Sequence, residues 1–103
     1  MKSIRLEPEA KQELAAAATR YEQRREGLGR ELISEVDAVL AAIARNPARF
    51  ILYPRVDESL SVRRALLRRF PYAVVFIDVG AAIRVVAIAH ERRRPGYWLV
   101  RLR

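Results

Sequence analysis

The sequence predicts an α+β fold in which an N-terminal strand and a helical hairpin precede a three-stranded antiparallel meander. Two observations lead to this prediction. Apolar residues recur at helical spacing over residues 8–45, and residues 61–89 then hold short β-rich segments separated by turn residues. The predicted element order is β-α-α-β-β-β, with helices layered on a sheet. Because 103 residues is close to the commonest domain size, we expect residues 1–103 to form one domain.

The first element is a short strand over residues 3–6, where apolar and polar residues alternate over a length that suits a sheet edge. Pro8 follows and favours the first turn of a helix that runs to residue 25. Gly27 and Gly29 interrupt the helical pattern, and a second helix is predicted from about residue 29 to residue 45, where Asn46-Pro47 ends it. Because each helix carries one apolar stripe, the two are expected to pack as an antiparallel hairpin.

The second half predicts the rest of the sheet. After an irregular connection at residues 48–60, strands are predicted at residues 61–67, 72–79 and 83–89, with Gly80-Ala81 as the last turn. The later strands are apolar almost continuously, which indicates that both of their faces are covered. The helices would cover one face, and a partner or the chain end would cover the other. The amphipathic tail at residues 97–103 fits a short strand or a helical turn.

Composition excludes several classes of protein. The chain has no cysteine, which rules out disulfides, thiol nucleophiles and cysteine zinc sites, and its one histidine with scattered acids offers no metal cluster. No cofactor is implied. No apolar run has the length of a signal peptide or a membrane span, so a soluble, cytoplasmic protein without membrane contact is expected.

Positive charge is concentrated in the second half. Residues 1–51 hold nine Lys/Arg against eight Asp/Glu, whereas residues 52–103 hold eleven Arg against four acids. Because arginine binds planar anions through two-point contacts and stays charged in any environment, this imbalance favours an anionic partner, either a nucleic acid or an acidic polypeptide.

Two segments of the basic half resemble a known family. Residues 64–76, RALLRRFPYAVVF, are similar to the second and third strands of RelE/ParE superfamily toxins. Residues 85–98, VVAIAHERRRPGYW, resemble the closing strand and tail of the ParE-like branch, in which His precedes basic residues and Pro-x-Tyr-Trp. The strand and two helices of the first half have the matching layout.

The resemblance implies a RelE/ParE-like fold and a bacterial toxin of a type II toxin–antitoxin system, of the plasmid stabilisation kind. The implied partner is a cognate antitoxin with an acidic, partly disordered segment, bound in a toxin–antitoxin hetero-oligomer. The ParE branch is associated with inhibition of DNA gyrase, and the RelE branch cleaves mRNA on the ribosome. A nucleic-acid-binding domain without toxicity is a third interpretation, supported by charge alone.

The resemblance also identifies candidate catalytic residues for the RelE-type alternative. Arg64 takes the place of the first strand lysine, Tyr97 matches the tail tyrosine, and one of Arg92, Arg93 and Arg94 is available as the final cation. However, Leu66 and Ala73 stand where that branch has a lysine and an arginine. The loss of a transition-state cation lowers the rate on the order of a hundredfold. The sequence therefore disfavours nuclease activity.

The candidate surface for the target or the antitoxin joins basic and aromatic residues of the second half. Its members are Arg63, Arg64, Arg68, Arg69, His90, Arg92, Arg93, Arg94, Tyr97 and Trp98. Strand alternation sends Arg63 and Arg64 to opposite faces, so these residues are not all expected in one patch.

Some of these residues also have a structural interpretation. His90 is a candidate general base, but a strand-end histidine hydrogen-bonded to the backbone or to neighbouring arginines explains it better, because no acid/base partner is identifiable by spacing. For Trp98, a ring that completes the core is at least as good an explanation as a contact with a partner. Asp78 and Arg84 flank the predicted hairpin turn, where they are expected to pair across strands.

Overall fold

The computed structural model describes residues 1–102 and confirms the predicted order of elements. The fold contains six regular elements. They are β1 (Ser3–Leu6), α1 (Pro8–Arg24), α2 (Leu28–Arg45), β2 (Val62–Leu66), β3 (Tyr72–Asp78) and β4 (Ala82–His90). Short 3-10 helices follow α2 (Pro47–Arg49), precede β2 (Glu58–Leu60) and form the tail (Tyr97–Leu102). Of the two conformations predicted for the tail, the structure therefore has the helical one.

The four strands form one sheet in the order β1-β4-β3-β2. β3 lies antiparallel to both β2 and β4, which makes the predicted meander. β1 lies at the edge, as predicted, and pairs parallel with β4, the last strand of the meander. This crossover places the beginning of the chain beside β4.

The break between the helices lies at Gly27, which has a φ of 88° and precedes α2. The prediction that Gly29 also interrupts the helical pattern is wrong, because Gly29 lies in the first turn of α2. A Cβ at Gly29 would lie 2.4 Å from the carbonyl oxygen of Ala18. The glycine is thus explained by the close approach of α2 to α1 and not by a turn.

Both faces of the sheet are covered, as the apolar strands predict. The larger core lies between the sheet and the two helices, and the buried residues with no exposed surface there include Ala10, Ala17, Leu32, Val36, Ile43, Val74, Phe76, Ile83 and Val85. A smaller core on the opposite face contains Val62, Val75, Val86, Ala87, Ala89 and Trp98. The tail and the loop that contains Tyr53 close this second face, so the chain covers it without a partner.

Within residues 1–102, no helix combines the length and the apolar character that crossing a bilayer requires.

Candidate functional site

The most extensively hydrogen-bonded side chain described is the Glu13 carboxylate, which joins α1 to β4 and the tail. It accepts hydrogen bonds from the backbone N–H of Ile88 at 3.0 Å and from the Tyr97 hydroxyl at 2.5 Å. Both terminal nitrogens of Arg101 also donate to it, each at 3.0 Å. Arg101 donates further to the carbonyl oxygen of Val86 at 2.9 Å, which fixes the tail against β4.

Burial and hydrogen bonding act against each other on the Glu13 pKa. Burial raises it, but the donors from Arg101, Tyr97 and Ile88 stabilise the charged form and hold the pKa below its ordinary value of 4.5. The Tyr97 hydroxyl is affected in the opposite sense: burial and its bond to Glu13 both raise its pKa well above the ordinary value of 10.0. At neutral pH the pair is therefore a carboxylate and a neutral phenol.

The Tyr97 ring lies between two guanidinium groups. The central carbon of Arg93 is 3.8 Å from the ring centroid, and that of Arg101 is 5.1 Å from it. These contacts are cation–π interactions. Tyr97 is consequently engaged through both its hydroxyl and its ring.

A small cleft of about 130 Å³ adjoins this network and is lined by Glu13, Ala16, Arg20, Tyr72, Ile88, His90 and Arg93. Arg20 donates to the Tyr72 hydroxyl at 3.0 Å. The His90 ring packs edge-on against Tyr72, and its Nδ1 accepts from the backbone N–H of Arg92 at 3.0 Å. The structural interpretation of His90, a strand-end histidine bonded to the backbone, matches this geometry.

The two arginines of the β2–β3 connection lie against α2. The backbone N–H of Arg68 donates to Glu35 at 2.6 Å, and that of Arg69 lies 3.4 Å from the same carboxylate. The Arg69 guanidinium pairs with Glu31, and this hydrogen bond is the main reason that the pKa of Glu31 is lowered. Arg69 is therefore already neutralised within the molecule.

The two adjacent arginines of β2 face opposite sides of the sheet, as alternation predicts. Arg63 donates to the carbonyl oxygen of Phe50 on the helical side. Arg64 lies on the Trp98 side, with its guanidinium 5.1 Å from the centroid of the Tyr53 ring. It lines a groove of about 480 Å³ together with Tyr53, Pro54, Arg55, Val56, Pro95, Gly96 and Leu99.

The candidate binding residues therefore occupy separate places rather than one basic surface. Arg68 and Arg69 lie against α2, Arg63 and Arg64 lie on opposite faces, and Arg93 lies on Tyr97. Trp98 is fully buried, so its ring completes the second core and is not presented to a partner in this conformation.

The expected pair of Asp78 and Arg84 does not form. Asp78 instead binds Lys2 at 2.7 Å, and Arg84 binds the Glu7 carboxylate at 2.6 Å. The reason is the parallel pairing of β1 with β4, which places residues from both sides of β1 next to the hairpin. The partners in these two ion pairs lie 76 and 77 positions apart, and no local sequence pattern predicts that they meet.

Glu13 and Arg101 were not among the candidate residues, although the sequence contains a signal for each. Glu13 lies three residues after Ala10 and four before Ala17, which belong to the apolar stripe of the first helix. An acid between two buried positions of a helix face indicates a charge that needs an internal partner. Arg101 is a matching cation, placed between apolar residues of the tail.

The order of elements defines a small α+β fold of the RelE/ParE type, and in this chain an internal ion pair anchors the tail. A family model described as the ParE toxin of the type II toxin–antitoxin system parDE matches residues 4–95. The chain therefore belongs to the ParE toxin family.

A solved structure supports the fold independently. The chain is similar to a protein of the "Chromosomal ParDE TA system from P. aeruginosa", with a TM-score of 0.73 and 19% sequence identity. The match covers 87% of this chain and 96% of that chain. No curated protein sequence matches the chain.

Proposed function

We propose that this ParE-family toxin inhibits DNA gyrase by binding it, without cleaving RNA, and that a cognate antitoxin with an acidic, partly disordered segment neutralises it in the cytoplasm. Residues 1–103 would act as one toxin domain. The observation that carries the choice of mechanism is the hydrogen bond from the Tyr97 hydroxyl to Glu13.

RNA cleavage through the 2′-hydroxyl needs groups that exchange protons near neutral pH. Tyr97 is the tail tyrosine that the RelE-type alternative would use. Its hydroxyl donates to a carboxylate, and its pKa is raised by burial and by that bond. A phenol in this state neither takes up nor releases a proton readily at neutral pH, which favours a structural role for Tyr97.

Two apolar residues, at positions where the RelE branch has a lysine and an arginine, also argue against RNA cleavage. Leu66 is 59% exposed and Ala73 is buried, so neither position offers a cation to a transferring phosphate. A missing transition-state cation lowers a rate on the order of a hundredfold or more, and two are missing here.

Charge supports the proposed antitoxin. Seven arginines of the basic half make no ion pair within residues 1–102: Arg55, Arg63, Arg64, Arg68, Arg92, Arg93 and Arg94. An acidic segment that orders over the surface would neutralise several of them, in a toxin–antitoxin hetero-oligomer.

Two assays of the purified protein test the proposed mechanism. We expect it to inhibit supercoiling by purified gyrase in a dose-dependent manner, and to leave mRNA intact on purified ribosomes. If an adjacent reading frame encodes the cognate antitoxin, its product should abolish the inhibition.

Ribosome-dependent cleavage of mRNA that disappears in Tyr97→Phe would overturn the proposal in favour of the endonuclease. The matched control is Tyr72→Phe, which also removes a hydroxyl that has a side-chain partner. If the protein inhibits neither process and its expression alone leaves growth unchanged, the interpretation as a non-toxic nucleic-acid-binding domain would replace the proposal.

A further inference from the structure

The groove beside Tyr53 has no role in the internal ion-pair network. Three segments line it: the loop from Tyr53 to Val56, Arg64 on β2, and Pro95, Gly96 and Leu99 of the tail. At about 480 Å³, it lies within the range of roughly 300–1,000 Å³ in which small ligands and side chains are bound.

Among residues 1–102, the charged residues that line this groove are Arg55 and Arg64, and none of the lining residues is a carboxylate. The Nε of Arg64 is buried and has no hydrogen-bond partner among the described residues. A buried donor without an acceptor is unfavourable, and a cation without a carboxylate beside an apolar wall is suited to an anionic group.

The apolar part of the lining restricts the kind of anion. Pro54, Val56, Pro95 and Leu99 supply aliphatic surface next to the two guanidinium groups, and Leu99 is 39% exposed. This pattern fits an apolar side chain on the wall and a carboxylate within reach of Arg64. An acidic and an apolar side chain together would match the charge and the apolar surface of the groove. Burial of apolar area and a charge-assisted hydrogen bond would then both contribute to binding.

We propose that this groove, here called the Arg64 groove, binds an acidic residue with an adjacent apolar residue from the antitoxin's neutralising segment. The inference rests on the proposed function, since it specifies where and through which chemistry the antitoxin binds. The Arg64 guanidinium would donate hydrogen bonds to the carboxylate of the acidic residue. Leu99 and Val56 would contact the apolar residue.

A nucleic-acid strand fits the groove less well. Sequence-tolerant binding of single strands depends on aromatic faces that are free to stack on bases. In the groove, the Arg64 guanidinium lies over the Tyr53 ring, and Trp98 packs edge-on against the same ring at a centroid distance of 4.9 Å. The Tyr53 ring is thus already covered by Arg64 and Trp98 and is not free to stack on a base. Arg55 and Arg64 alone would make few contacts with phosphates.

The protein contains a reporter for occupancy of the groove. Trp98 is the only tryptophan, and it contacts Tyr53 directly beneath the lining. The 103-residue chain would be titrated with overlapping peptides that tile the product of an adjacent reading frame, and Trp98 fluorescence would be recorded. We expect one peptide with an acidic and an apolar residue to change the emission and to bind the protein.

Arg64→Gln should weaken the binding of that peptide roughly 10- to 100-fold, as expected for the loss of a charge-assisted hydrogen bond. Replacing the peptide's acidic residue by its amide should have little further effect in this variant, because both changes remove the same contact. The matched control is Arg45→Gln, an exposed arginine at the end of α2, which should bind as the unaltered chain does.

Leu99→Asp is a second variant, made at a position that is 39% exposed. The added carboxylate should repel the peptide and also weaken its binding. Circular dichroism of each variant would verify the fold.

The outcomes separate the inference from the proposed function. If the antitoxin neutralises the toxin and binds Arg64→Gln and Leu99→Asp with unchanged affinity, the Arg64 groove inference fails while the proposed function stands. If no antitoxin product binds the toxin at all, both fail. Binding of a 12-nucleotide single-stranded RNA that is abolished by Arg64→Gln and is displaced by no peptide would assign the groove to nucleic acid and overturn the inference.

Discussion

Glu13 and Tyr97, which are 84 positions apart in the chain, are joined by a hydrogen bond of 2.5 Å. The bond connects the first helix to the tail and closes a network that also includes Arg101. It explains how a tail of six residues in 3-10 conformation stays on the sheet and keeps Trp98 buried beneath it.

The first prediction concerns the carboxylate charge. Glu13→Gln should lower the free energy of unfolding by about 2 kcal/mol, because hydrogen bonds to charged groups contribute about 1.5–3 kcal/mol. The side chains of Glu13 and Arg101 are only 15% and 16% exposed, so solvent screens the pair weakly. Urea unfolding at neutral pH measures the change. Glu31→Gln, which removes the carboxylate of a more exposed pair, should have a much smaller effect, and an equal effect in both would contradict the prediction.

The second prediction follows from the direction of the Glu13 pKa shift. Since the folded pKa lies below the ordinary value of 4.5, the stabilisation by Glu13 is complete above about that pH and is lost as the pH falls through the folded pKa. The difference in unfolding free energy between the unaltered chain and Glu13→Gln should therefore shrink between pH 6 and pH 3. A difference that stays constant over this range would show that the charge of Glu13 does not contribute.

The third prediction tests the second core. Trp98 has no exposed surface, so Trp98→Ala should lower the unfolding free energy by about 3–5 kcal/mol. Trp98→Phe should lower it less, since the indole N–H has no acceptor among residues 1–102 and phenylalanine removes this unsatisfied donor. Thermal unfolding followed by circular dichroism at 222 nm compares the variants. Equal losses in the two would mean that filling of the cavity is unimportant.

The fourth prediction concerns the contact between the helices. Alanine is normally favoured over glycine in a helix by about 1 kcal/mol. At position 29 the added Cβ would lie 2.4 Å from the backbone oxygen of Ala18, so Gly29→Ala should destabilise the protein despite its better helix propensity. Ser34→Ala, at an exposed position of the same helix, should be neutral or slightly stabilising. Denaturant midpoints of both variants provide the test, and a stabilised Gly29→Ala would refute the close packing.

Much of the secondary structure could be predicted because the signals are local. Pro8 marks the start of α1, Asn46-Pro47 marks the end of α2, and Gly80 with a φ of 91° marks the β3–β4 turn. The prediction for Gly29 is wrong because the sequence does not distinguish a glycine that close packing requires from a glycine that a turn requires. Only the neighbouring helix distinguishes the two.

The candidate site was less predictable because it depends on partners. Alternation correctly separated Arg63 from Arg64, but it gave no information on the carboxylates of α2 that engage Arg68 and Arg69. The pairing of Arg84 with Glu7 depends on β1 lying next to β4, which no pattern within either segment indicates.

The amino-acid sequence by itself determined the order of the elements, the excess of arginine in the second half and the family resemblance, because each depends on residues that are near one another in the chain. Only the tertiary structure decided which charges are neutralised internally and which remain available. The cause is that the sheet order and the folded-back tail bring Glu7, Glu13 and Asp78 to cations between 76 and 88 positions away.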